Sequence, residues 1–323
     1  MKKLILPLII LCNSAYGQIT TSKVAPKAEQ VDNTPYDSTK NFLSEKVKKY
    51  LGQELYLKGQ SESLRKYGYA GFLIDYKESS LSNNKNIYKC CESYNSKYSE
   101  LAEKYFTVLD VIKHPKATSG NSSDEYLYGK KWYLKLKEKE SNDVVYFEYS
   151  EQFEHTFPFI VVGYFLKLKQ TEINKEFIVR GKNWLSSGTM YDMNTGNPLS
   201  SFEPGDKWKC IDVTIDEKYY SLSLILQNEK GEQIPLSVDA SKKTNWVFTN
   251  EQAENYKKIF GVDNWNLILS SKVKIGMTKE MCELSWGKPK NVNETITSQD
   301  KTEQWVYTDS YLYFENGVLR TIQ

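Results

Sequence analysis

The chain of 323 residues is short of the side chains that most chemistry needs. It holds two histidines, His114 and His155, and five cysteines. No H-E-x-x-H, G-x-S-x-G or phosphate-cradling glycine loop occurs, so the common metalloprotease, hydrolase and nucleotide-binding signatures are missing. No C-x-x-C pair occurs either, which leaves a structural zinc site without its usual ligands. The sequence therefore nominates no catalytic residue, no cofactor-binding residue and no metal ligand, and it implies no cofactor. A surplus of one charge is also lacking, with 43 Lys and Arg against 41 Asp and Glu. Proteins that bind nucleic acid or anionic membranes carry a basic surplus, so nucleic acid is not an expected partner. No apolar run is long enough to span a bilayer, so no transmembrane segment is expected in the mature chain.

Hydrophobic residues make up only 40%, but aromatics reach 14%, with 24 tyrosines. Tyrosine packs its ring and wets its hydroxyl, which suits short strands with half-buried faces. Disordered chains are poor in aromatics.

The N-terminus reads as a secretory signal peptide over residues 1–17. Lys2 and Lys3 precede the apolar core "LILPLIILC", and small residues at Ala15 and Gly17 place cleavage after Gly17. Lipidation at Cys12 is the less favoured alternative, because Leu11 stands where such sites carry a small residue. With Lys2 and Lys3 removed the chain is formally neutral. Export predicts the periplasm or the cell surface or outer membrane of a Gram-negative bacterium. Four cysteines remain, Cys90, Cys91, Cys210 and Cys282, and four allow three pairings. Pairing of the adjacent Cys90 and Cys91 is expected to be strained. Isolated buried or free thiols are the simpler reading, above all for Cys210 in an apolar run.

Residues 18–36 are polar and carry two prolines, as a flexible tether does. "STKNFLSEKVKKYLG" puts Leu43, Val47, Tyr50 and Leu51 on one helical face. The period then switches to two. Strands are expected at "GQELYLKG", "GYAGFLIDY", 103–112 and 157–169, with a hairpin over 132–150 that turns at Ser141-Asn142-Asp143. The second half repeats this grammar. "GKNWL" resembles "GQELYL", and "DKWKCIDVTI" resembles "EKYFTVLDVI" in a weak tandem repeat. A second hairpin over 219–238 turns at Lys230-Gly231, and "NWVFT" follows. The expected divisions are a β-rich domain over 37–170, a second over 171–248 and an α+β domain over 249–323. The fold class is mainly β, two small antiparallel barrel or sandwich units followed by a helix pair and a three-stranded meander. The β units look like bacterial Src-homology-3-like barrels in architecture alone, which transfers no binding residue.

The last domain has the clearest local signals. Thr249 and Gln252 form a capping box ahead of a helix that buries Ala253, Tyr256 and Phe260. Thr278 caps another helix, stopped by Gly287 and Pro289. Asn316-Gly317 is a strong hairpin signal. The run "IGMTKEM…WGKP", then "QWVY", then "YLYFENGVL", resembles the SmpA/OmlA (BamE-like) family over residues 272–323. The resemblance implies an exported, non-catalytic binding domain that uses its sheet. It makes Gly276, Gly287 and Pro289 folding residues, and the long preceding chain keeps the family's partner from being carried over.

Six tryptophans, Trp184, Trp208, Trp246, Trp265, Trp286 and Trp305, are expected in cores. The leading functional expectation is an exported envelope protein, non-catalytic, binding a protein or glycan. One rival is a hydrolase of wall peptides or glycans, in which His114 or His155 meets a cysteine or carboxylate. The other is a structural surface component.

Overall fold

The computed structural model describes residues 36, 39–78, 84–180, 190–200, 202–216, 220–241, 247–296 and 300–323. The expected signal peptide and tether, "GKNWL", Trp184 and Trp246 lie outside the described residues. The chain divides into two compact units. One is Met1–Gln170 with Glu217–Tyr220, and the other is Thr171–Asp216 with Ser221–Gln323.

The first unit contains β1 (Glu54–Leu57), β2 (Phe72–Leu73), β3 (Cys90–Glu92), β4 (Asn95–Ser96), β5 (Tyr105–Lys113), β6 (Lys131–Glu138), β7 (Val144–Ser150) and β8 (Phe159–Val161). Its short helices are α1 (Glu62–Arg65), α2 (Tyr98–Leu101) and α3 (Ser122–Tyr128), and α4 (Val162–Glu172) follows β8. Six strands form one antiparallel sheet in the order β2-β7-β6-β5-β1-β8. Alternation along β7 buries Val145, Phe147 and Tyr149. The core is aromatic, with Phe147 against Phe159 at 5.0 Å and against Phe72 at 5.2 Å. The expected hairpin turns at Asn142, whose φ is +63°. The buried Glu138 carboxylate secures that turn by accepting the N–H groups of Glu140 and Ser141, each at 3.0 Å. Burial pushes its pKa up, but these hydrogen bonds, the Ser141 side chain and Lys104 outweigh that and hold it below the usual carboxylate range.

Two local expectations change. Residues 157–169 are not one strand, because β8 ends at Val161 and α4 begins at Val162. The run is buried nearly all round, so it carries no period that separates strand from helix. The expected first helix is a 3-10 turn over Ser44–Tyr50. Three residues per turn align Val47 with Tyr50 and turn Leu51 out, 56% exposed. The sulfurs of Cys90 and Cys91 are brought together, while Cys210 and Cys282 are free thiols as expected.

The second unit contains β9 (Glu176–Val179), β10 (Lys207–Ile215), β11 (Leu222–Gln227), β12 (Gln233–Ser237), α5 (Val238–Ser241) and β13 (Val247–Thr249). These strands form an antiparallel sheet in the order β12-β11-β10-β9-β13. That order matches β7-β6-β5-β1-β8 strand for strand. The match extends to a bulge. β5 slips register between Val108 and Asp110, and β10 slips between Cys210 and Asp212. In both, the aspartate Oδ1 accepts the next residue's N–H at 2.8 Å. Neither sheet closes into a barrel. Closure needs the terminal strands to pair, and Phe72–Leu73, Phe159–Val161 and Val247–Thr249 offer two or three residues each.

The chain continues through α6 (Asn250–Phe260), α7 (Val262–Leu269) and α8 (Lys279–Trp286) into β14 (Asn291–Ile296), β15 (Lys301–Val306), β16 (Tyr311–Glu315) and β17 (Val318–Ile322). Thr249 and Gln252 make the reciprocal capping box. The strands form a meander in sequence order with four members rather than three. The added strand, "NVNETI", is exposed at all six residues and has too little apolar signal to announce itself. One core serves this part and the preceding sheet. Ile178 and Phe248 pack with Ala253, Trp265, Cys282 and Phe314.

Candidate functional site

Alternation divides the C-terminal sheet into two unlike faces. The inner face carries Trp305, Leu312, Phe314 and Leu319, all buried against the helices. Thr278 holds α8 in place by accepting the Met281 N–H at 3.3 Å and by a bridge to Val318. Glu303 is the one buried acid on that face. It accepts from Trp305 Nε1 at 3.0 Å, pairs with Lys301 at 3.3 Å and receives a short bond from Lys279. Burial raises its pKa, and the three donors reverse that shift to leave it low. Arg180, also buried, reaches the C-terminal end of α8. It donates to the carbonyls of Leu284, at 2.9 Å, and Ser285, and to Ser271 Oγ at 2.7 Å. A cation there satisfies orphan carbonyls and complements the helix dipole. Burial lowers its pKa to about 10.

The outer face is polar and open. It forms a groove of about 440 Å³ lined by Asn293 and Thr295 from β14, Thr302 and Gln304 from β15, and Tyr313 and Glu315 from β16. Arg320 from β17 completes it. Cross-strand register stacks Asn293 opposite Gln304 and Gln304 opposite Tyr313. A bulge in β17 leaves Arg320 unopposed between Leu319 and Thr321, beside Glu315 at 3.2 Å. Alternation in "YLYFE" puts Tyr311 and Tyr313 on this face, but Asn293, Thr295, Thr302 and Gln304 were not singled out in the sequence. Their signal was a period-2 pattern of Asn, Thr and Gln, which reads as loop when hydropathy alone is scored.

The residues weighed for chemistry do not share this groove. His114 is buried, stacked on Tyr128 at 4.3 Å and on Tyr133 at 5.3 Å. Its Nδ1 accepts the Lys116 N–H at 3.2 Å. Burial lowers its pKa, so the ring is neutral. His155 is exposed beside Phe153. Cys210 and Cys282 are buried free thiols, and burial pushes both up to about 12. A thiol so held is a poor nucleophile. Trp208, Trp265 and Trp305 are buried in cores, and Trp286 packs against the same C-terminal core. Among the described residues no cluster of three His, Cys, Asp or Glu could hold a metal. Among the same residues no helix is long and apolar enough to cross a membrane. No protein-family model, curated protein or solved structure matches the chain.

Proposed function

We propose that this is an exported, non-catalytic protein of the bacterial cell envelope that binds a protein or glycan through its β modules and C-terminal sheet. The observation that carries the reading is the contrast between the two faces of that sheet. The inner face is packed and ionically pinned, whereas the outer face presents a polar groove. The N-terminal signal pattern supports export. The resemblance of residues 272–323 to the SmpA/OmlA family supports a sheet used for binding. The paired five-strand orders support two related β modules. The thiol form of a hydrolase would need a histidine in reach of a thiolate. Here His114 spends its Nδ1 on a backbone N–H, and both free thiols are held protonated.

The test is capture. The full chain is immobilised and exposed to envelope extract separated into protein and polysaccharide. A Thr302→Arg variant plants a bulky cation in the groove at an exposed position. The wild type is expected to retain a component that the variant, folded by circular dichroism, does not. Retention of nothing by either protein, or equal retention by both, contradicts the reading.

A further inference from the structure

We infer that the outer face of the C-terminal sheet binds a neutral, polyhydroxylated ligand, a glycan chain laid across the strands. This rests on the reading of that face as the binding surface and names its ligand.

Five uncharged side chains are hydrogen-bonded in series across the sheet. Asn291 Nδ2 donates to Asn293 Oδ1 at 3.1 Å, and Asn293 Nδ2 donates to Gln304 Oε1 at 2.8 Å. Gln304 Nε2 donates to the Tyr313 hydroxyl at 2.9 Å, which donates to Gln323 Oε1 at 2.9 Å. The chain fixes the orientation of each amide. A primary amide has two N–H donors and two acceptor lone pairs, and the chain uses one donor and one acceptor of Gln304. Each amide in the series thus keeps donors or lone pairs that it does not use, in a row along the strands that line the groove. Sugar hydroxyls donate and accept at once, so adjacent hydroxyls can meet such a row without leaving a polar group unpaired. Preset amides also lose little freedom when the ligand arrives.

Charge selects against anionic ligands. Arg320, the cation that lines the groove, is paired with Glu315 at 3.2 Å. A phosphate, sulfate or uronate would have to compete with Glu315 for that guanidinium. Tyr311, 40% exposed, stands on the same face two residues from Tyr313. Phenol rings so placed offer flat surface for the C–H faces of sugar rings. A protein strand adding to the open edge of β14 would use backbone pairing instead and would make no demand on the amide row.

The test titrates the purified full chain with neutral hexasaccharides of N-acetylglucosamine, β-1,4-glucose and mannose, and with anionic hexagalacturonate, by calorimetry and saturation-transfer NMR. At least one neutral probe is expected to bind, with little salt dependence, and hexagalacturonate is not. Gln304→Ala is expected to weaken binding about tenfold, the loss of roughly one well-made hydrogen bond. Tyr313→Phe keeps the ring and the strand, so weaker binding by that variant reports the chain itself. If no neutral probe binds, or if hexagalacturonate binds better, the ligand class is overturned. If a captured protein is lost with Thr302→Arg but ignores Gln304→Ala, the ligand class is again overturned, while the face survives as a binding surface. Failure of the capture experiment with Thr302→Arg would remove the face itself.

Discussion

At His114 the fold holds a titratable ring neutral between Tyr128 and Tyr133. Its folded pKa lies below the ordinary histidine value because of burial. The unfolded chain therefore takes up the proton first, and stability falls as pH drops below about 6.5. His114→Asn keeps an acceptor for the Lys116 N–H but cannot titrate. Wild-type melting temperature should fall more steeply than that of the variant between about pH 7 and about pH 5.5. Parallel slopes would show that another group carries the effect. Glu303 shows the opposite sign. Its depressed folded pKa contributes stability that is present above the ordinary glutamate value and lost as pH falls through the lower one. Neither environment was legible in the sequence, because burial and ring stacking depend on residues far apart in the chain. Arg180 was missed for the same reason, as its partners lie about a hundred positions away.

Among the elements, those set by local chemistry were legible and those set by packing were not. The capping box at Thr249, the cap at Thr278 and the turns at Asn142 and Asn316-Gly317 all formed where short-range rules place them. The helix over 162–172 was hidden because a run buried on every side has no period. β14 was hidden for the converse reason, since its residues are polar and exposed on both faces. The likeness of "EKYFTVLDVI" to "DKWKCIDVTI" proved informative at this scale. Both segments become the central strand of a matching five-strand order, each with a bulge at an aspartate, Asp110 in one and Asp212 in the other. The last hairpin offers a clean test of local strain. Gly317 has φ +82°, and a Cβ there would meet nothing within 4 Å. Gly317→Ala should therefore destabilise by about 1 kcal/mol through backbone conformation alone. Urea unfolding monitored by tryptophan fluorescence checks this, and an unchanged midpoint would contradict it.

In the whole molecule, compact units matter more than linear domains. Phe248, at the end of the second β sheet, sits in a core with Trp265 and Phe314. The C-terminal sheet is thus mounted on a body that begins at Thr171. Such a mount packs the inner face, and the proposed binding role falls to the outer one. That division of labour is the central claim, and hydrogen–deuterium exchange of the full chain, with and without the envelope component it captures, tests it most directly. The account predicts slowed exchange confined to peptides within 291–323, with the strongest effect over Asn291–Ile296 and Lys301–Glu315. Protection centred on His114 and Tyr133, with 291–323 unchanged, would contradict it.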